Sequence, residues 1–177
     1  NFNFYRSRLL PETGIVAMVK ASGYGAGSYE LAKTLQSRGA AYLAVAVLDE
    51  GIDLRNAGIT MPIMVLNPKV LNYPLLFSNR LEPEIYSFDI LNEIIAEARK
   101  LGVHGYPVHI KLDTGMHRLG FLEKDLPQLI ELLRGQDNIR VSSVFSHLAT
   151  ADCPDMEDYT LMQLITFERC SKSIVDA

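Results

Sequence analysis

The chain has 177 residues, 48% hydrophobic and 21% charged, the balance of a globular protein with a substantial core. A net charge of −4 without any basic cluster gives nucleic acid or an anionic membrane no footing, and no apolar run approaches the roughly 20 residues of a membrane span. Cys153 and Cys170 lie too far apart for a short redox or zinc motif and read as free thiols of a reducing, cytoplasmic compartment.

The first residues, Asn1-Phe-Asn-Phe-Tyr-Arg, lack a secretory signal pattern, and a start at Asn instead of Met leads us to expect a segment of something longer. Ile15–Val19 is an apolar, β-branched run with the length of a buried strand, and it ends at Lys20. Glycines at 23, 25 and 27 follow, with Tyr24 between the first two, before a helix over Ser28–Arg38 that Gly39 ends. Ala40–Val47 reads as a second strand, Asp49–Ala57 as a second helix closed by Gly58, and Pro62–Leu66 as a third strand. A loop or short helix with Pro68 and Pro74 comes next, then a weaker strand over Leu81–Ser87, in which Pro83 argues against a regular central ladder.

The fourth main helix has Ser87 as its cap and a face of Ile90, Leu91, Ile94, Ile95, Ala98 and Leu101. Tyr106–Leu112 is a fifth strand, Asp125–Arg134 a helix, Ile139–Phe145 a sixth strand, and a last helix runs from Asp158 beyond Ser173. Strands and helices alternate with short connections, which implies a parallel sheet covered by helices. An open doubly wound sheet fits this order, and so do the first six units of an eight-unit α/β barrel of the TIM type, (β/α)8.

In either architecture, chemistry gathers at the C-terminal ends of the strands. The first end offers Lys20 and Tyr24, the fifth the polar turn Lys111–Gly120, and the sixth Ser146–Asp152. A buried strand-end lysine has its amine pushed toward the neutral, reactive form, although such a lysine is also an ordinary solvated strand terminator. Glycines let backbone amides approach an anionic group such as phosphate. Arginine offers a fixed fork of donors to a phenolate or carboxylate, and histidine can stack on a ring or bond behind it. His104 and His109 read as structural, and His117 as free to face solvent. The histidines and cysteines show no metal-ligand spacing, so no metal is expected.

Three stretches together are specific. Ala17–Gly27 resembles the cofactor-lysine signature of the alanine racemases, fold-type III pyridoxal 5'-phosphate enzymes. Lys111-Leu-Asp-Thr-Gly-Met-His-Arg-Leu-Gly120 and Phe145-Ser-His-Leu-Ala-Thr-Ala-Asp152 resemble the family's second and third signatures, in family order, and the similarity runs the length of the chain. The resemblance implies the N-terminal part of a pyridoxal phosphate-binding barrel over residues 1–177, with about six of its eight units. It implies that Lys20 holds the cofactor covalently and serves as one of two proton-transfer groups. By the same resemblance Tyr24 bonds the phosphate, Arg118 the phenolic oxygen, and His147 lies under the ring. Arg118 and Met116 would contact the substrate, alanine, and a homodimer is expected of the full-length protein. The protein would be cytoplasmic, and its product, D-alanine, would supply peptidoglycan.

Lys111 matches a lysine that many family members carry as a carbamate; as an ammonium it would repel Arg118, so a negative carbamate makes better electrostatic sense. The pattern departs from the family at Ala26, where histidine is usual, at Ser22-Gly23, and at His117, where glycine is frequent. The last matters if that position needs a positive φ. The glycine loop is similar to that of racemases fused behind a cell-wall ligase. Racemisation needs a base on each face of the α-carbon, and the family's second base is a tyrosine of a C-terminal β domain outside this sequence; the isolated chain is therefore expected to be inactive. Two other readings stay open: another fold-type III enzyme, such as an amino-acid decarboxylase or D-amino-acid lyase, and a non-catalytic pyridoxal phosphate-binding protein.

Overall fold

A computed structural model describes residues 1–67 and 72–177; the Pro68 part of the expected loop lies outside the described residues. The chain divides into two compact units, Asn1–Pro83 and Glu84–Ala177.

The first unit opens with a short helix, α1 (Phe2–Arg6), which the sequence did not announce. Three parallel strands follow, β1 (Val16–Met18), β2 (Tyr42–Val45) and β3 (Ile63–Val65), with Leu43 registered against Ala17 on one side and Ile63 on the other. Their near-continuous apolar character is that of strands covered on both faces, and Leu43, Val45, Ile63 and Val65 are fully buried. Between β1 and β2 lie a single turn, α2 (Lys20–Tyr24), and the helix α3 (Ser28–Ser37); α4 (Leu48–Asn56) follows β2. The helix α5 (Tyr73–Ser78) carries Pro74 in its first turn, where a missing N–H costs nothing, and Asn72 Oδ1 caps it by accepting from Leu75 N–H at 3.2 Å.

The strand β4 (Leu81–Ile85) crosses the division. Leu81, Glu82 and Pro83 register with β3, and Glu84 and Ile85 with the next strand, β5 (Tyr106–Lys111). As Pro83 led us to expect, this central strand carries no regular two-sided ladder. Pro83 falls where pairing passes from one neighbour to the other, so its missing donor interrupts no two-sided run of bonds. The six parallel strands follow one another in chain order, β1 to β6. A doubly wound sheet reverses its order at a switch point; a strictly sequential order is that of the barrel class.

In the second unit, α6 (Phe88–Lys100) starts at Ser87, whose Oγ accepts from Ile90 N–H at 3.4 Å. Ile90, Leu91, Ile94, Ile95 and Ala98 are buried as their spacing predicts. Leu101 is not: it stands past the last turn, where the helical period no longer applies, and is 45% exposed. The strand β6 (Ile139–Phe145) pairs along β5, and the helices α7 (Leu126–Arg134) and α8 (Glu157–Val175) complete the unit. Among the described residues no helix is long and apolar enough to cross a membrane, and no group of three or more His, Cys, Asp or Glu could hold a metal ion. Cys170 is buried and Cys153 exposed.

Candidate functional site

In the first unit the chain leaves β1 through buried Val19 and half-buried Lys20, then runs left-handed. Ala21, Ser22, Gly23, Tyr24 and Gly25 all have φ between 51° and 90°. Left-handed backbone costs a non-glycine residue about 1–2 kcal/mol, and three such residues adopt it here. Local bonds hold the turn: Gly23 N–H donates to Val19 O at 3.2 Å, Gly27 N–H to Ser22 O at 3.0 Å, and Ser28 Oγ–H to Val19 O at 3.2 Å. From α4, Glu50 Oε1 accepts the Ala21 N–H at 2.7 Å. No neighbour crowds Gly25 or Gly27, and Tyr24 is 67% exposed, so the turn that Lys20 opens presents a phenol to solvent.

In the second unit the signature after β5 folds back on itself. Phe121 N–H donates to Lys111 O at 2.9 Å and Asp113 N–H to Phe121 O at 3.0 Å. Gly120 makes this return possible, since a Cβ there would lie 2.5 Å from Asp113 N. Inside the loop, Asp113 Oδ1 accepts from Gly115 N–H at 3.0 Å and from His117 N–H at 2.9 Å. His117 has φ 54°, the conformation in which glycine is at ease, so its departure from the family pattern falls on a backbone position that does need positive φ. Arg118 is exposed at the tip and lines a cleft of about 430 Å³ with Tyr86, Asp113 and His117; Met116 is half-buried.

The signature after β6 is tied to this loop by a residue the sequence did not single out. Gln163 of α8 is fully buried. Its Nε2 donates to His147 O at 3.0 Å and to Thr114 Oγ1 at 3.3 Å, and its Oε1 accepts Ala149 N–H at 2.8 Å. Thr114 and Ser146 hydroxyls bond each other at 2.8 Å, and Ser146 Oγ–H donates to Leu112 O at 2.8 Å. An exposed His147 is thereby held by its backbone. Its imidazole is pulled below the ordinary histidine range by partial burial, then by the Lys111 and Arg118 charges.

Lys111 is buried, its Nζ 4.7 Å from the centre of the Phe145 ring. A second residue missed in the sequence stands beside it: Glu84 of β4, 2% exposed, with Oε1 3.9 Å from Lys111 Nζ and without a hydrogen-bond partner among the described residues. Burial pushes the Glu84 carboxyl up to about 7 against the pull of Lys111 and Arg118, and burial lowers the Lys111 ammonium, with Glu84 opposing. The repulsion expected between Lys111 and Arg118 thus has an anion beside it that the sequence reading did not count. His109, read as structural, is buried and bonds Ser143 Oγ through Nδ1 at 2.7 Å; His104 meets Asp137 Oδ2 at 3.2 Å on the surface.

A parallel strand–helix series in strictly sequential order defines a protein of the α/β barrel class. The alanine racemase N-terminal domain family matches residues 1–177, and the chain belongs to that family. It is 43% identical over 159 residues to the alanine racemase of Methanococcus maripaludis, covering 89% of this chain and 42% of that one. To the alanine racemase of Synechocystis it is 38% identical over 181 residues, covering 98% and 46%. The solved alanine racemase of Clostridium difficile 630 in complex with cycloserine superposes with a TM-score of 0.87 at 33% identity, covering 99% of this chain and 48% of that one. The chain spans less than half the length of these relatives.

Proposed function

We propose that the chain is the N-terminal barrel portion of a pyridoxal phosphate-dependent alanine racemase, which interconverts L- and D-alanine. The observation that carries this reading is Lys20, placed directly after β1 at the head of a strained left-handed turn. Strained backbone persists only where the surrounding structure over-determines it, and such positions cluster at active sites.

The donor set suits the cofactor: an amine for its aldehyde, a phenol for its phosphate, a guanidinium for its phenolic oxygen. When bound, the cofactor supplies an electron sink for the negative charge left at the α-carbon when its proton departs. Lys20 would hold the cofactor and carry a proton on one face of the α-carbon. Tyr24 would bond the phosphate. Arg118 would donate to the phenolic oxygen and, with Met116, contact the substrate. His147, whose lowered pKa favours the neutral imidazole, would lie under the ring.

Lys111 is the candidate for a carbamate. Its burial favours the neutral amine that adds to carbon dioxide with loss of a proton. Glu84, pushed to about 7, is an adjacent acceptor for that proton. A homodimer, a cytoplasmic address and supply of D-alanine to peptidoglycan complete the proposal for the full-length protein.

The test is turnover by the full-length gene product, freed of host enzyme. Interconversion of the alanine enantiomers, without decarboxylation of ornithine or lysine and without cleavage of D-threonine, supports the racemase. Cleavage or decarboxylation without racemisation would assign another fold-type III activity.

A further inference from the structure

Glu50 lies in the first turn of α4, yet its carboxylate reaches back 29 residues to the Lys20 turn. Oε2 accepts Ala46 N–H at 2.7 Å and Val47 N–H at 3.4 Å. Those bonds are what a helix-capping glutamate makes. Oε1 does something capping does not require: it accepts Ala21 N–H at 2.7 Å. Ala21 is the first left-handed residue, and its N–H belongs to the peptide that joins it to Lys20.

We propose that Glu50 is a positioning residue for Lys20, clamping the Lys20–Ala21 peptide to the end of β2 and so fixing the direction in which the lysine leaves the backbone. The proposal rests on Lys20 being the cofactor lysine. A left-handed turn relaxes through the φ and ψ that flank a rigid peptide plane, and a bond to that plane's N–H opposes the rotation. A charged acceptor holding its N–H makes a bond roughly twice as strong as a neutral one. The clamp's own base is rigid. Leu54 of α4 is buried, and Gly51 packs so closely that a Cβ would lie 2.9 Å from Leu81 Cδ1. A carboxylate with its two oxygens on two segments fixes the distance between them, which an amide, with one acceptor, does only in part.

The experiment compares the wild-type full-length gene product with its Glu50→Gln and Glu50→Ala variants. One readout is amide hydrogen exchange at Ala21, Leu43 and Val65 in protein free of cofactor. The other is the fraction of Lys20 labelled by limiting pyridoxal phosphate after borohydride reduction and peptide mapping. We expect Ala21 exchange to rise about tenfold in Glu50→Ala with Leu43 and Val65 unchanged, and Lys20 labelling to fall by about the same factor. Glu50→Gln should lie between, because one oxygen remains to accept. Equal labelling of Lys20 in wild type and Glu50→Ala would overturn the role of Glu50 alone. Faster exchange at Leu43 and Val65 together with Ala21 would reduce Glu50 to a stabiliser of the whole unit, which also overturns it. Failure to label Lys20 in the wild-type full-length gene product would overturn the proposed function itself, and this role with it.

Discussion

Glu84 Oε1 lies 3.9 Å from Lys111 Nζ, inside ion-pair range but beyond a hydrogen bond, with both side chains buried. Neither group is at ease in its charged form there. Burial raises the acid to about 7 and lowers the base, and the two charges only partly offset this.

A pH dependence follows from that pair. Between its unfolded value near 4.5 and about 7, Glu84 binds more protons folded than unfolded, so stability falls as pH rises through this window. Urea midpoints of the wild-type chain should therefore carry a downward component between about pH 5 and 7, of order 1–3 kcal/mol. Glu84→Gln should lack that component. An identical profile in the two proteins would contradict the assignment.

Gln163 joins the two loops that present Arg118 and His147, through three bonds made in a fully buried setting. Gln163→Leu keeps the approximate volume and leaves Ala149 N–H, His147 O and the Thr114 hydroxyl short of a partner. It should cost about 2–3 kcal/mol in chemical denaturation. It should also speed amide exchange at Ala149 before it affects β5. A loss below about 0.5 kcal/mol would mean water or a neighbour takes over these groups.

His117 is held left-handed at φ 54° by its N–H bond to Asp113 Oδ1 at 2.9 Å. His117→Gly should be neutral within about 0.5 kcal/mol, since relief of strain is balanced by chain entropy. His117→Val, β-branched and poorly suited to positive φ, should lose about 1–2 kcal/mol. Equal stability of the two variants would show that the loop changes conformation to suit the side chain.

The strand-end lysine, the glycine loop and the alternation of six strands with helices were legible because periodicity and glycine spacing record them directly, whereas the order of the strands in the sheet was left open by the residues alone. Ala21, Ser22 and Tyr24 give no such notice: their residue types do not favour left-handed backbone, and the bonds that impose it come from Val19, Ser28 and Glu50. Glu84 stayed hidden because a carboxylate beside Pro83 in a weak strand reads as solvent-facing. Only its register against His109, itself buried, shows that it points inward. Gln163 looked like one more polar position on a helix until the turns it bonds were folded against it. Leu101 kept the helical period one residue longer than the helix itself.

The central claim is that Lys20 is the residue that captures pyridoxal phosphate. The direct measurement is the visible spectrum of the chain mixed with pyridoxal phosphate, followed by borohydride reduction and mass mapping, with Lys20→Arg as the control. We predict a new absorption band and a single labelled peptide containing Lys20, both lost in Lys20→Arg. Run on the full-length gene product as well, a label on another lysine, or no label in either protein, would contradict the account.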